Sequence, residues 1–306
     1  MTTPNTVLDL IDAFRRSKTM FAAVELGIFD GQRPPDCKEL GRLLDACVSL
    51  GLLEKRGDDY VNTPEAEKYL RSDSPDTLTG YVRYSNEALY PMWGHLEDAV
   101  RQGTHRWKQT FDLDGPIFSH FFRSEDAMRE FQKGMHGFGQ LSSPAVVAAF
   151  DLRRFRRLVD LGGGTGHLAE AARQQYPHLE TAVFDLPAVA RMVPGVIPGD
   201  FFTDPLPAAD LYSLGRILHD WSEEKIRKLL ARIYAALPAG GGLLIGEKLL
   251  DPHYVSAHMQ SLNMLVVTEG RERSADEYTG LLRAAGFSLI ESTRTGTPLD
   301  AILAIK

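Results

Sequence analysis

The spacing of apolar residues divides the chain into two parts with different patterns. Up to about residue 150, apolar positions recur at helical spacing, first over 7–29 and again over 38–53. The second stretch leads into Gly57-Asp58-Asp59, a group of turn residues between two apolar runs that indicates a β-hairpin. A helix followed by a hairpin suggests a winged-helix unit. Further helices are predicted over 75–103, 124–138 and 143–150.

After residue 150, short β-rich runs alternate with helical stretches. The predicted strands cover 157–161, 181–184, 211–214 and 242–245. The predicted helices cover 165–175, 222–236, 257–267 and 275–285. Strands that alternate with helices predict an α/β fold with a mainly parallel sheet, covered by helices on both faces.

Composition narrows the class of protein. A chain of 306 residues with 43% hydrophobic and 25% charged residues is typical of a soluble globular protein. No run approaches the roughly 18 apolar residues that a membrane span needs, and the N-terminus lacks the pattern of a secretory signal. Cys37 and Cys47 have neither Cys-x-x-Cys nor zinc-site spacing, so we expect reduced thiols in a cytoplasmic protein.

Charge argues against two classes of partner. The net charge of −7 and the isoelectric point of about 5.7 disfavour broad binding of nucleic acids or anionic membranes. A winged helix can read DNA, but residues 33–59 contain five basic and six acidic residues, whereas a recognition element should be basic. We therefore expect neither a nucleic-acid partner nor a membrane partner.

The sharpest motif is Asp-Leu-Gly-Gly-Gly-Thr-Gly at 160–166, which ends a predicted strand and opens a predicted helix. Glycines let the backbone turn tightly and let a ligand approach the helix N–H groups. Gly162, Gly164 and Gly166 are spaced G-x-G-x-G, whereas a nicotinamide loop has G-x-G-x-x-G. This spacing, with Asp160 two residues earlier, favours an S-adenosylmethionine pocket. The alternative is a structural glycine turn in another α/β protein.

Two further acids follow at predicted strand ends. Asp185 lies about 20 positions past the loop, where a carboxylate can accept hydrogen bonds from both ribose hydroxyls. In Gly199-Asp200-Phe201, Asp200 could accept from the adenine amino group and Phe201 could stack on the ring. For any one acid a surface or capping role is the alternative, but three acids in this order indicate a cofactor site.

These motifs, together with Arg-Ile-Leu-His-Asp-Trp at 216–221 and the segment 261–273, resemble those of the caffeic-acid-type small-molecule O-methyltransferases. Within that family they are most similar to the acetylserotonin branch. The resemblance covers nearly the whole chain. It implies a Rossmann-like class I methyltransferase domain over 91–306, with a helical linker to about 150 and a core over 151–306. It also implies a mostly helical winged-helix dimerisation domain over 1–90, and therefore a homodimer.

The resemblance assigns roles to individual residues. His219 corresponds to the catalytic base, and Glu247 and Glu272 correspond to acids that flank and orient it. On the substrate side we place Asp220, Asn263 and Val267, although Val267 stands where the acetylserotonin enzyme has a glutamine. The motifs and the resemblance together give the predicted cofactor-binding residues: Asp160, Gly162, Gly164, Asp185, Gly199, Asp200, Phe201 and Arg216.

The implied chemistry explains these residue types. Methyl transfer is an in-line displacement at a sulfonium, so the protein must align the acceptor oxygen and remove its proton. A phenol-like hydroxyl has a pKa near 10 and a histidine near 6.5, and general-base catalysis by His219 is worth roughly 10²–10⁴-fold. A carboxylate on the other ring nitrogen would hold the tautomer. The expected product is S-adenosylhomocysteine, and nothing in this chemistry requires a metal.

Structural roles are the alternative for several of these residues. Asp220 could cap the helix that begins near Ser222. Glu247 and Glu272 could be ordinary ion-pair partners. The sequence leaves the identity of the acceptor open, because the pocket is built from residues scattered along the chain.

Three stretches are short for the family: Phe29 to Leu43, Asp185 to Asp200, and the connection at 251–253. The second leaves fourteen residues between the two acids, enough for about two helical turns and a stub of strand. Either these are true deletions, which would thin the wall around the adenine, or the numbered chain omits segments. The alternative to an active O-methyltransferase is therefore a catalytically impaired, cofactor-binding dimer of the same fold.

Overall fold

The computed structural model describes residues 5–34 and 37–306, and the chain divides into two compact units, Met1–Tyr90 and Pro91–Lys306. The short segment predicted between Phe29 and Leu43 includes residues 35 and 36, which lie outside the described residues. The first unit contains α1 (Asn5–Glu25), a 3₁₀ helix (Ile28–Asp30), α2 (Leu40–Ser49), β1 (Leu53–Arg56), β2 (Asp59–Asn62), α3 (Pro64–Tyr69), α4 (Thr79–Tyr84) and a π-helical turn (Ser85–Leu89).

The predicted hairpin is confirmed, because β1 and β2 pair antiparallel with Arg56 opposite Asp59. Gly57 has a φ of 65° in the connecting turn, a conformation that glycine adopts without steric cost. The helices predicted over 7–29 and 38–53 both end earlier than the apolar pattern suggested, at Glu25 and Ser49. Gly27 and Gly51 take left-handed conformations just after α1 and α2, which stops each helix.

Helix α1 has two different halves. Its C-terminal part packs into the core of the first unit through Phe21 and Val24. Its N-terminal part carries apolar side chains that are more than half exposed: Val7, Leu8, Leu10, Ile11 and Phe14. A run of exposed apolar residues on one helix of a soluble protein is a mark of an interaction surface.

The second unit contains the remaining elements. Its helices are α5 (Tyr90–Trp93, which begins at the last residue of the first unit), α6 (Leu96–Gln102), α7 (Trp107–Phe111), α8 (Ile117–Phe121), α9 (Glu125–Ala148), α10 (His167–Gln175), α11 (Pro187–Met192), α12 (Glu223–Ala236), α13 (Val255–Val267) and α14 (Ala275–Ala285). Its strands are β3 (Arg157–Leu161), β4 (Glu180–Asp185), β5 (Ile197–Pro198), β6 (Leu211–Gly215), β7 (Gly242–Glu247), β8 (Leu289–Thr293) and β9 (Asp300–Ile305).

The seven strands form one sheet in the order β5-β4-β3-β6-β7-β9-β8. The five strands β3 to β7 run parallel, as predicted, while β9 lies antiparallel to both β7 and β8. The sequence reading did not include β8 and β9. Strand β8 has little apolar character and is largely exposed, and it is held in place mainly by pairing with buried β9.

Two helical predictions differ from the structure. The stretch 75–103 is not one helix but α4 to α6 with a π-helical turn, since Pro91 and Gly94 interrupt the pattern. The predicted helices 124–138 and 143–150 are one continuous helix, α9, which contains Pro144. Proline removes one helical hydrogen bond, but the flanking turn is anchored by Val146 and Val147 in the core against the sheet.

The short stretch between Asp185 and Asp200 forms the six-residue helix α11 and the two-residue strand β5. This matches the expected two turns and stub of strand. Strand β5 still pairs with β4 through Phe184 and Ile197, so the short connection keeps the outermost strand of the sheet beside the two acids. None of the described helices is long and apolar enough to cross a membrane.

Candidate active site

The glycine loop leaves β3 at its carboxyl end and enters α10. Gly162, Gly164 and Gly166 have φ values of 70°, 57° and 80°, which side chains other than glycine rarely tolerate. A Cβ on Gly162 would lie 2.6 Å from Ile217 Cδ1 and 3.2 Å from a ring carbon of Phe201. The loop therefore needs glycine both for its backbone and for its close neighbours.

Asp160 lies behind this loop. Its Oδ1 accepts a hydrogen bond from Ser213 Oγ at 2.7 Å, and a Cβ on Gly163 would lie 2.4 Å from its Oδ2. Burial raises the pKa of Asp160 to about 7. The side chain thus ties the end of β3 to β6 and supports the loop from the protein interior.

Asp185 and Asp200 stand at the carboxyl ends of β4 and β5. Asp185 accepts from the N–H of Gly164 at 2.8 Å and from the N–H of Leu186 at 2.6 Å, while burial raises its pKa. Asp200 accepts from the N–H of Phe202 at 2.8 Å through Oδ1. A carboxylate oxygen can accept more than one hydrogen bond, so each acid retains acceptor capacity.

The backbone between these acids is also close-packed. Gly199 donates its N–H to the carbonyl of Asp185 at 2.9 Å, and a Cβ on Gly199 would lie 2.4 Å from the ring of Phe184. Phe201 packs edge-on against Phe202, with 4.8 Å between ring centroids. The structure therefore brings the predicted cofactor residues that follow β3, β4 and β5 to the carboxyl-terminal end of the sheet. We call this group the cofactor edge (Asp160, Gly162, Gly164, Asp185, Gly199, Asp200 and Phe201).

Helix α9 contributes contacts to the loop that sequence reasoning missed. Nδ1 of His136 lies 2.8 Å from Thr165 Oγ1, and a Cβ on Gly164 would lie 2.8 Å from Gln132 Oε1. These residues have no motif spacing of their own. Only the packing of α9 against α10 and the sheet brings them to the glycine loop.

Arg216 has the second positive φ among the described residues other than glycine, at 59°. Its guanidinium lies 4.4 Å from the ring centroid of Phe138, and Nη1 is buried without a hydrogen-bond partner. A strained backbone and an unsatisfied buried donor are features that cluster at functional sites. Both fit its predicted place beside the cofactor.

His219 lies in a 3₁₀ turn (Leu218–Asp220) that follows β6. Its Nδ1 lies 2.7 Å from Oε1 of Glu272 and 3.4 Å from Oε2 of Glu247. Its Nε2 lies 3.6 Å from Oδ1 of Asp220. The side chains of His219, Glu247 and Glu272 are buried, so the structure brings together all three predicted catalytic residues.

Glu247 has a second contact that its sequence position did not reveal. Its Oε1 accepts the backbone N–H groups of Ile217 at 3.0 Å and Leu218 at 2.7 Å. These donors begin the turn that carries His219. Glu247 therefore shapes the backbone of the turn as well as flanking the imidazole, whereas Glu272 contacts the ring directly.

The carboxylates control protonation in this cluster, which we call the His219 cluster (His219, Asp220, Glu247 and Glu272). Burial alone would lower the pKa of His219, but the charges of Glu247, Glu272 and Asp220 outweigh it and raise the pKa to about 10. Burial raises the pKa of Glu247 to about 7 and that of Asp220 to about 6. The cluster therefore retains protons near neutral pH.

The same groups raise the question of a metal. His219, Glu247 and Glu272 offer ligand atoms within 4.8 Å of one another. However, Nδ1 of His219 is hydrogen-bonded directly to Glu272, and Oε1 of Glu247 is engaged by backbone N–H groups. These contacts are hydrogen bonds of the kind that orient an acid–base histidine and its turn, while Oε2 of each glutamate has no hydrogen-bond donor among the described residues.

The predicted substrate residues lie on α13 and in the 3₁₀ turn. Asn263 Oδ1 accepts from Trp93 Nε1 at 2.9 Å, and the carbonyl of Val267 accepts from Trp107 Nε1 at 2.8 Å. Both side chains are buried. Ser222, not Asp220, caps α12 by accepting from the N–H of Lys225, so the capping alternative for Asp220 is wrong.

Comparison with known proteins agrees with this arrangement. A family model described as an O-methyltransferase domain matches residues 93–288. Chicken acetylserotonin O-methyltransferase is 39% identical over 337 aligned positions, which cover 99% of this chain and 97% of the relative. A human protein named as a probable bifunctional dTTP/UTP pyrophosphatase/methyltransferase is 38% identical over 99% of this chain, which spans 54% of that relative.

A solved structure is also similar. Human N-acetylserotonin methyltransferase, crystallised with S-adenosylmethionine, superposes with a TM-score of 0.94 at 37% identity, covering 100% of this chain and 99% of that one. The 337-position alignment exceeds the 306 residues of this chain, so the chicken enzyme has residues in the aligned region that this chain lacks. The shared fold, the cofactor edge and the sequence identity together show that this chain belongs to the S-adenosylmethionine-dependent O-methyltransferases.

Proposed function

We propose that this O-methyltransferase methylates a hydroxyl of a small aromatic acceptor, phenolic or hydroxyindole-like, with His219 as general base. The observation that carries the proposal is the 2.7 Å hydrogen bond between Nδ1 of His219 and Glu272. Because that bond occupies Nδ1, Nε2 is the nitrogen available to take a proton. The names of the chicken and human relatives support an acceptor of the hydroxyindole class.

The acids have separate roles in this proposal. Glu272 holds the tautomer of His219 and stabilises the imidazolium that forms when the acceptor loses its proton. Glu247 positions the turn through the N–H groups of Ile217 and Leu218. The acceptor oxygen must lie within about 3 Å of Nε2 for direct proton transfer.

The cofactor edge fits S-adenosylmethionine by its remaining hydrogen-bonding capacity. Asp185 would accept from the ribose hydroxyls, and Asp200 from the adenine amino group beside Phe201. Asp160 would support the loop of Gly162 and Gly164. The buried, unpartnered Nη1 of Arg216 would find an acceptor there. When bound, the cofactor supplies a methyl group activated by its sulfonium.

The acceptor would lie between His219 and α13. Asp220 is next to the base, and Asn263 is held by Trp93 so that its amide nitrogen can face the acceptor. Val267 would contribute apolar surface. Glutamine stands at this position in the acetylserotonin branch, so we expect the preferred acceptor to differ from acetylserotonin in the group that Val267 faces.

A homodimer is part of the proposal. The exposed apolar side chains of α1 include Leu10 at 71% and Phe14 at 53% exposure, which is costly for a helix left in water. A second copy of the same first unit would cover them. An isologous contact of this kind is the commonest arrangement in soluble oligomers.

The proposal is tested with the variant His219→Ala. We expect its turnover of a phenolic or hydroxyindole acceptor to fall about 10²- to 10⁴-fold, with binding of S-adenosylmethionine retained by calorimetry. His258→Ala, on the exposed side of α13, is the matched control and should keep full activity. Full activity in His219→Ala would refute the base. Cofactor binding by the wild type without turnover of any acceptor in a broad panel would favour the catalytically impaired dimer.

A further inference from the structure

The His219 cluster contains more negative than positive groups. Asp220, Glu247 and Glu272 all face one imidazole, at 3.6, 3.4 and 2.7 Å. Oε2 of Glu247 and Oε2 of Glu272 are buried and lack a hydrogen-bond partner among the described residues. Buried carboxylate oxygens without donors are costly, so the cluster is arranged for positive charge beyond its own imidazole.

The surrounding charged groups do not supply this positive charge by direct contact with the carboxylates. Arg216, at the end of β6, and Lys248, after β7, act on the cluster only at a distance, and Glu269 adds negative potential. Arg273, before α14, gives its Nη1 to the carbonyls of Leu218 and Arg271. Tyr278 of α14 is held neutral by a strongly raised pKa. Among described residues, His219 makes the only ion pairs of these three carboxylates.

This excess of negative charge conflicts with the role of His219 as general base unless another positive charge offsets it. Three carboxylates keep the imidazole protonated, and an imidazolium cannot accept a proton from the acceptor. A cation that binds next to the cluster would offset part of the negative charge that the proton on His219 now offsets. The cationic partner that the reaction itself brings is the sulfonium of the cofactor.

The distance follows from the requirements of in-line transfer. If the acceptor oxygen lies about 3 Å from Nε2 of His219 and the methyl group lies between oxygen and sulfur, the sulfur is about 7 Å from the imidazole. At an effective dielectric constant of about 20, a unit positive charge at about 7 Å lowers the pKa of a neighbouring group by roughly 1 to 2 pH units.

We propose that Asp220, Glu247 and Glu272 make proton binding by the His219 cluster sensitive to the charge of the cofactor. The cationic S-adenosylmethionine expels a proton from the cluster as it binds, and the neutral S-adenosylhomocysteine does not. The inference rests on the proposed function, since it places the acceptor at His219.

The proton balance of the reaction follows. The S–CH₃ bond breaks with its electron pair left on sulfur, the O–CH₃ bond forms, and the acceptor proton passes to His219. The positive charge thus moves from sulfur to the imidazole, and the three carboxylates neutralise it in both states. The proton generated by methylation leaves when the next S-adenosylmethionine binds.

Calorimetric titration without any acceptor tests the proposal. S-adenosylmethionine, S-adenosylhomocysteine and sinefungin, in which an ammonium-bearing carbon replaces the sulfonium, are titrated at about pH 9, between the pKa of His219 without the cofactor charge and the lowered pKa with it, in buffers of different ionisation enthalpy. We expect release of roughly half to one proton with the two cationic ligands and none with S-adenosylhomocysteine. Between about pH 8 and pH 10, the ratio of the Kd for S-adenosylhomocysteine to that for S-adenosylmethionine should rise roughly 10-fold.

Variants assign the effect to the cluster. Glu272→Gln and Asp220→Asn should each reduce the difference in proton release between the two ligands, whereas Glu223→Gln, an exposed ion-pair variant on α12, should keep it. Retained S-adenosylhomocysteine binding shows that each variant is folded. Equal proton release with S-adenosylmethionine and S-adenosylhomocysteine, an unchanged difference in both cluster variants, or an effect abolished by EDTA would overturn the inference. A failure of His219 as base would appear in turnover instead, which these titrations do not use.

Discussion

Nδ1 of His219 lies 2.7 Å from Oε1 of Glu272, although 53 positions separate the two residues in the chain. This contact, together with Glu247 and Asp220, raises the pKa of His219 against the effect of burial. A general base acts only when neutral, so the raised pKa means that activity increases as the pH rises. We expect kcat/KM of the wild type to rise between about pH 7 and pH 9.

The variant Glu272→Gln should move this rising limb to lower pH, because it removes one of the charges that raise the pKa of His219. The loss of imidazolium stabilisation should lower kcat by about 10²-fold. Initial rates across pH with a neutral phenolic acceptor measure both effects, with Glu223→Gln as the control. An unchanged pH profile at reduced kcat would assign Glu272 to positioning alone.

Glu247 is expected to stabilise the fold as well as the site. In Glu247→Ala the buried N–H groups of Ile217 and Leu218 lose their acceptor, and we expect the free energy of unfolding to fall by about 2–4 kcal/mol. Glu247→Gln retains an acceptor oxygen and should lose less. Denaturant unfolding of both variants measures the difference. Equal losses in the two variants would show that the charge, not the backbone hydrogen bonds, provides the stability.

Gly139 and His167 share one space beside the glycine loop. A Cβ on Gly139 would lie 2.4 Å from the imidazole of His167, which Ser143 holds through a 2.8 Å contact at Nδ1. Gly139→Ala should therefore destabilise the protein by about 1–3 kcal/mol, although alanine is the better helix former. In a His167→Ala background the same substitution should stabilise it, by up to about 1 kcal/mol. Thermal unfolding of the four proteins in this cycle measures the reversal, and its absence would show that the imidazole moves aside freely.

The exposed face of α1 should control the oligomeric state. The double variant Leu10→Ser with Phe14→Ser should weaken self-association by roughly 10²-fold or more, since each change occurs twice in a two-fold interface. Asp12→Ser on the same helix is the control. Sedimentation velocity over a range of concentrations gives the mass, and an unchanged dimer in the double variant would place the interface elsewhere.

Local sequence determined much of the fold. Strands β3, β4, β6 and β7 and the helices between them follow from alternating apolar runs, since periodicity reflects which side of each element is buried. The turns were predictable where glycine was obligatory, as at Gly57 and in the loop that begins at Gly162. The family motifs then allowed the site residues to be predicted, with their roles still to be tested.

Other features depended on contacts between distant parts of the chain. Helix α9 continues through Pro144, and a hydrogen bond joins its His136 to Thr165. Both features come from packing against the sheet and α10, which no local pattern encodes. Strand β8 was missed because its pairing with β9, and not a buried apolar pattern, defines it. Strand β9 is a buried apolar run, a local signal that the prediction did not use.

The difference between what the sequence determined and what the tertiary structure decided is clearest at His219. The sequence determined that a histidine follows β6 and that glutamates occur at 247 and 272. Only the tertiary structure decided that Glu272 bonds the ring, that Glu247 holds the turn, and that no other described side chain forms an ion pair with the three carboxylates. The reason is physical: the protonation of a buried group depends on every charge around it, and those charges come from elements that only the folded chain brings together.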